Sequence, residues 1–465
     1  MDRHIFILSL LFASLVAVCV AQQPPCPNIR ECSCSQHIIE CHDRHLTSIP
    51  TWNRDFYYTE LHLQNNNISE IHDDAFRNLN NISIIQIDHN QVHTVGLKAF
   101  RGLERTLNEI DISYNNLDVF PPALGDLLFI QKIDASFNPL NYDSFDDTTM
   151  YNIGDTLRDF TFGSRDLEQW PQALRHLQDL SFLNVTGGSF LTLPPDAFHG
   201  FEGTLKTLSM QNTAMIAIPF AFSKLRFLDH LYFDHNHAIG DSGILITSLS
   251  NRALNHLEVV SLTDDNLTVF PSLLQFLPNV NTLILDSNRL AFVSEASVEV
   301  AKGTGITNLS MKNCSLARVP GALSKLTNLT SLNLANNQIR SFENSDFENM
   351  RNLQNLTITG NPLEFIGNGT FRDLTNLRVL DILESNIHTM PEAIRFLTNL
   401  TTLKLPINKI ECTCNIAWLK QFMEVCNRQL KIEGSCETIE STIEDFLKIH
   451  IPHCPNYSNA TQSCH

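Results

Sequence analysis

Two short segments carry residue types that could do chemistry. Gly240-Asp241-Ser242-Gly243 has the form of a serine-nucleophile loop, and His230, His235 and His237 lie close enough together to suggest a metal site. A serine nucleophile needs a histidine base and oxyanion donors positioned around it, and no matching histidine segment precedes this one. A flexible polar loop is therefore expected at 240–243. His235 should face outward beside a strand and His237 should follow Asn236 into a turn, so no metal is expected there. The sequence holds no His-Glu-x-x-His, P-loop or dinucleotide fingerprint. Neither an enzyme nor a bound cofactor is expected, and function has to be sought in binding.

The elements that would present a binding surface are repeats. Leu61-x-Leu63-x-x-Asn66-x-Ile68 recurs as Ile85-x-Ile87-x-x-Asn90-x-Val92, Ile110-x-Ile112-x-x-Asn115-x-Leu117 and Ile133-x-Ala135-x-x-Asn138-x-Leu140. Late copies include Leu332 to Ile339, Leu356 to Leu363 and Leu403-x-Leu405-x-x-Asn408-x-Ile410. Fifteen units begin at 58, 82, 107, 130, 157, 180, 205, 228, 257, 280, 306, 329, 353, 377 and 400, at intervals of 23 to 29 residues. Alternation within each unit predicts a short strand with apolar side chains inward and the intervening residues outward. The turn after the strand leaves backbone groups buried without a ladder partner, and an Asn side chain can both donate to and accept from them. Phe76, Phe100, Phe198, Phe347 and Phe371 should fill the core on the return path. Pro follows the last anchor in many 23-residue units, as at Pro121, Pro171, Pro271, Pro320 and Pro391. These shorter units largely alternate with longer ones. Thr213, Cys314 and Ser385 replace the turn Asn with small groups that still bond weakly, whereas Arg165, Gly188 and Asp265 do not substitute so simply. The stretch from about 142 to 265 should be the most irregular.

Composition limits the partner. The 465 residues carry a net charge of −18 and a pI near 5.4, which argues against nucleic acid or an anionic membrane surface and fits a basic protein partner, or no charge-driven partner at all. Residues 1–21 read as a secretory signal: Arg3 precedes an apolar run from Ile5 to Val20, and cleavage is expected after Ala21. No later stretch has the length of a membrane span. Of twelve cysteines, Cys19 lies in the signal, ten sit in terminal clusters, and only Cys314 falls between them. Clusters at the ends of a secreted chain read as disulfide staples. The expected organisation is a signal at 1–21, a cysteine-rich cap at 22–57, the repeats at 58–411, and a second cap with its tail at 412–465.

These repeats and cysteine clusters resemble the extracellular leucine-rich-repeat family over essentially the whole chain after the signal. The fold this implies is α/β: a right-handed solenoid, or horseshoe, with a parallel concave sheet and disulfide-bonded caps. Cys26-Pro27, Cys32-x-Cys34 and Cys41 are similar to that family's N-terminal cap, and Cys412-x-Cys414-Asn415-x-x-Trp418-Leu419 with Cys436 and Cys454 to its C-terminal cap. The resemblance implies bridges Cys26–Cys34, Cys32–Cys41, Cys412–Cys436 and Cys414–Cys454. Cys426 and Cys464 remain to close a fifth, and Cys314 should stay reduced in its core-facing ladder position. The alternating repeat lengths and the Cys-x-Cys-Asn-Ile-Ala-Trp-Leu segment also resemble arthropod secreted proteins related to the non-catalytic subunit of a shrimp luciferase.

On such a fold the outward residues of successive strands line up in columns. The middle column runs His62, Gln86, Asp111, Asp134, Thr161, Asn184, Ser209, Tyr232, Ser261, Ile284, Ser310, Asn333, Thr357, Asp381 and Lys404. Two clusters stand out as partner-binding candidates. Asp88, Asp111 and Asp134, with Tyr114 and Phe137, mix carboxylates and rings. Tyr232 and Asp234, with His230 and His235, form the second. Aromatic residues among charges are common in protein hot spots, although a solvated polar face has the same composition. Glycan sequons fall at Asn67, Asn81, Asn184, Asn266, Asn308, Asn328, Asn355, Asn368, Asn399, Asn456 and Asn459, with a twelfth at Asn313 expected to be hindered. Sugars at Asn184, Asn308 and Asn355 would shield the centre and the C-terminal half, leaving the N-terminal third as the expected interface. The expected function is recognition or adhesion through binding of an extracellular protein. An accessory subunit of a secreted enzyme and an innate-immune recognition protein are the alternatives.

Overall fold

The computed structural model describes residues 25–28, 30–243 and 254–455. The expected signal at 1–21, and with it Asn456, Asn459 and Cys464, lie outside them.

One sheet of eighteen strands runs the length of the molecule. It opens with an antiparallel pair, Ser33–Ser35 against Ile38–Glu40. Every further pairing is parallel, from Glu60–His62 through the fifteen repeats to Thr402–Lys404 and finally Lys431–Glu433. The register puts all fifteen residues of the middle column opposite one another, from His62 against Gln86 to Asp381 against Lys404. The cause is the period-two alternation: the residues flanking each column member are buried, as with Leu61 and Leu63 or Ile110 and Ile112.

The core is a continuous seam of these anchors, backed by Phe76, Phe100, Phe198, Phe347 and Phe371, all buried. The return path is built mainly of 3-10 turns. Pro121, Pro171, Pro271, Pro320 and Pro391 each precede one, as at Gln172–His176 and Glu392–Phe396, and Pro219 precedes a sixth. Proline fixes the φ that starts such a turn and gives up an N–H that would have no partner there. Small pairings on the return path join Glu70–Ile71 to Thr94–Val95 and Ser341–Phe342 to Phe365–Ile366. Among the described residues no helix is long and apolar enough to cross a membrane.

Asparagine side chains hold the turns. Nδ2 of Asn90 donates to Leu63 O of the preceding repeat and to Ile87 O of its own, while Oδ1 accepts from Ile68 N. Asn66, Asn115, Asn138, Asn288, Asn337 and Asn361 repeat the arrangement. Cys314 takes part with its thiol, which donates to Leu285 O at 3.1 Å. It is free and buried, and burial pushes its pKa up to about 12.

Three expectations need correction. Asn408 is exposed and not in the ladder; with φ of 56° it takes the left-handed place that precedes the ladder residue in other repeats. The expected register would have put the β-branched Ile407 in that conformation, which asparagine tolerates far better. The turn slips by one residue, and Lys409 Nζ donates to Ser385 O instead. Residues 240–243 form a helical turn rather than a loose loop, because the Asp241 carboxylate accepts from Thr268 N, Thr268 Oγ1 and Val269 N. Asn313, expected to be hindered, is exposed.

Cys26–Cys34 and Cys32–Cys41 close the N-terminal end, and Cys412–Cys436 and Cys414–Cys454 the C-terminal end. Cys426 is also disulfide-bonded. At that end the edge strand is finished by a side chain: Ile432 N donates to the Glu444 carboxylate.

Candidate functional site

In most repeats the residue before the ladder position has positive φ, which turns the chain out of the strand. Asn fills this place at Asn65, Asn212, Asn313 and Asn336, whereas His89, Tyr114 and Phe137 fill it in three successive repeats, with φ of 52°, 52° and 56°. Bulky residues pay a steric cost in that region which asparagine largely avoids. The three rings stack in order. His89 and Tyr114 lie 4.2 Å apart at 17°, and Tyr114 and Phe137 lie 4.2 Å apart at 15°. They stand at the rim where the sheet face passes into the turns, and Tyr114 and Phe137 remain 44% and 45% exposed. The next repeat ends the stack, because Ser164 stands in the ring position and donates its hydroxyl to Leu140 O. His89 escapes a motif search, but numbering each repeat from its ladder asparagine puts all three rings in one column.

The carboxylates lie alongside, in two neighbouring columns. Asp111 and Asp134 face each other in the middle column, where the residue of the preceding strand is Gln86. Asp88 lies two residues further along, beside His89, whose Nδ1 is 2.8 Å from Asp88 Oδ2. Burial raises the Asp111 pKa against hydrogen bonds from Ser113, with Asp134 and Asp88 adding to the rise. Asp134 Oδ1 accepts from Ser136 N and Oγ. The flanking column holds Glu109, Lys132 and Asp159 in register, and Lys132 Nζ is 2.7 Å from Glu109.

The second candidate cluster is tied into the fold. Asp234 Oδ1 accepts from Ser261 Oγ at 2.6 Å and Thr263 N at 2.8 Å, and Tyr232 is half-buried. His230, on the same strand as Tyr232, is likewise half-buried. His235 and His237 turn towards one carboxylate, their Nδ1 atoms 3.0 and 3.7 Å from Asp264 oxygens. Next to them Asp265 replaces the ladder asparagine. Its Oδ1 accepts from Asn236 N, so Oδ2 stands where other repeats put an amide donor, buried and without a partner. Burial pushes its pKa up to about 9, against the hydrogen bond from Asn236 and reinforced by Asp234 and Asp264. The neutral acid carries an O–H where its neighbours carry N–H, so it can serve the ladder at neutral pH.

The sequons divide by exposure. Asn67, Asn328, Asn355, Asn368 and Asn399 are exposed, and Asn81, Asn184, Asn266 and Asn308 are half-buried. A second asparagine series was not foreseen. Nδ2 of Asn279, Asn352, Asn376 and Asn399 each donates to a carbonyl of the preceding repeat, on the exposed edge before the strand. Its signal is an Asn directly before the first apolar anchor.

Comparison with known proteins agrees with this geometry. The leucine rich repeat family model matches residues 59–117, 304–363 and 351–410. Human podocan-like protein 1 is 26% identical over 289 residues, covering 60% of this chain and 52% of that protein. Bovine lumican is 27% identical over 236 residues, covering 49% of this chain and 65% of its own length. The chain thus spans between half and two thirds of these relatives. A leucine-rich-repeat protein of Leptospira interrogans shares the fold with a TM-score of 0.56 at 19% identity, over 81% of this chain and 90% of that one. Repeat, ladder and sheet make the chain a leucine-rich-repeat solenoid, similar to podocan-like protein 1 over 60% of its length and to lumican over 49%.

Proposed function

We propose that this chain is an extracellular recognition protein that binds another protein, one with basic character, through the N-terminal third of its sheet face. Asp88, Asp111, Asp134, Tyr114 and Phe137 form the centre of that interface. The observation that carries the reading is the exposed ring stack, held in an unfavourable backbone conformation beside half-buried carboxylates. The turn imposes this conformation in most repeats, so the choice of bulky rings where asparagine would fit at lower cost is what points beyond folding. Residues 82–183 contain no sequon, so attached sugars would leave this sector open. Disulfides at both ends fit an oxidising, extracellular setting.

The test is a crosslinking pull-down from extracellular fluid with the wild type and with Asp88→Asn/Asp111→Asn/Asp134→Asn. Asparagine keeps the acceptor that Ser113 N and Ser136 N use, so secretion should persist while partner capture falls and becomes less sensitive to salt. Capture that survives this change but is lost with Tyr232→Ala/Asp234→Asn would move the interface to the middle of the array. An enzyme as the sole stoichiometric partner would make the chain an accessory subunit instead.

A further inference from the structure

We propose that the partner presents arginine, whose guanidinium stacks on the Phe137 end of the ring column and pairs with the carboxylates beside it. This rests on the interface reading above and names the chemistry that reading leaves open.

The first support is the local charge. Residues 107–157 carry nine carboxylates and a single cationic side chain, Lys132, a net −8 of the chain's −18. Lys132 is already paired with Glu109. The second support is what the chain does with several of its other exposed rings. Arg54 lies over Phe56, Lys206 over Phe227, Lys224 over Phe220, Arg372 over Phe396 and Arg395 over Trp418, at 4.3 to 5.7 Å from the ring centres. Among the described residues no Lys or Arg lies over Tyr114 or Phe137.

The third support is a template within the stack. At its first end a planar nitrogen group, the His89 imidazole, lies 4.2 Å from the Tyr114 ring and is held by the Asp88 carboxylate. At the other end Phe137 has no ring after it. Asp134, on the strand leading to Phe137, gives Oδ1 to Ser136, and its Oδ2 has no hydrogen-bond partner among the described residues. A guanidinium on Phe137 that donates to Asp134 repeats the His89–Asp88 arrangement. Arginine suits this better than lysine, since its cation is planar, weakly hydrated and able to stack while donating in-plane, whereas an ammonium keeps its water.

The experiment titrates the full secreted protein with hexa-arginine and hexa-lysine peptides in physiological salt. Hexa-arginine should bind about tenfold more tightly, the size of one well-placed cation–ring contact. Phe137→Leu keeps the apolar bulk and removes the π face, and should bring the two peptides within about twofold of each other without changing hexa-lysine binding. Equal binding of the two peptides by the wild type, or a preference that survives both Phe137→Leu and Tyr114→Ala/Phe137→Ala, overturns the proposal. Since both rings are exposed, an unchanged melting temperature serves as the folding control. No arginine preference, together with loss of the natural partner in the triple Asp→Asn variant, refutes arginine and leaves the interface reading standing. An arginine preference with partner capture intact in that variant supports the arginine site and refutes the interface.

Discussion

Tyr114 and Phe137 combine two opposed costs. Left-handed backbone costs a bulky residue roughly 1–2 kcal/mol, while each stacked ring pair returns about 0.5–1.5 kcal/mol. Tyr114→Asn or Phe137→Asn should therefore leave stability within about 1 kcal/mol of wild type, as read by chemical denaturation, whereas Phe120→Ala in the core should cost about 3–5 kcal/mol. A large loss from either exposed ring would show that the stack serves folding. Asp265 allows a sharper test. Its folded pKa of about 9 stands far above the value near 3.9 of an unfolded aspartate. The folded state thus holds a proton that the unfolded state releases, so the stability this group contributes is complete below about pH 4 and is lost progressively as pH rises to 9. Asp265→Asn supplies a permanent N–H donor to the same turn. The variant should be more stable than wild type at pH 7, with the gap widening towards pH 9 and closing towards pH 4. Parallel stability–pH profiles for the two proteins would exclude a protonated Asp265.

At the scale of elements, the ladder asparagines are what make each strand-to-turn passage possible. Asn337 donates to Met311 O and Leu334 O and accepts from Cys314 N and Leu316 N, all buried. Asn337→Ala strands several of these groups and should cost about 3 kcal/mol or more, since each unsatisfied buried group costs about 1–3 kcal/mol. Asn408→Ala, at a position the sequence pattern makes equivalent, should cost less than about 1 kcal/mol because its bonds are at the surface. A loss of about 3 kcal/mol at Asn408 would contradict the slipped turn. The contrast also marks how far sequence reaches. Strands, column register and core phenylalanines were legible because period-two alternation and a repeat near 24 residues leave no other packing. The slipped turn was not, because it depends on the left-handed preference of one residue, which the consensus pattern does not encode. The ring column escaped for a related reason: Tyr114 and Phe137 could be read as surface residues, but the stack needs His89 and the rim geometry, which are properties of three repeats together.

The molecule as a whole is a long array in which each repeat touches its neighbours, so local features stay local along its length. Charge is the exception, because fields reach beyond contact. With a net −8 in residues 107–157, the solenoid is electrically lopsided, and a cationic protein meeting it should be turned towards one sector before any side chains touch. That is a property of arrival rather than of the bound state. Steering of this kind raises association rates by roughly 10–10³-fold and is removed by salt. Stopped-flow measurement from low to high ionic strength should therefore show the association rate falling steeply while dissociation changes little. Asp118→Asn/Asp143→Asn, which leaves the ring stack and its paired carboxylates intact, should slow capture without shortening the lifetime of the complex.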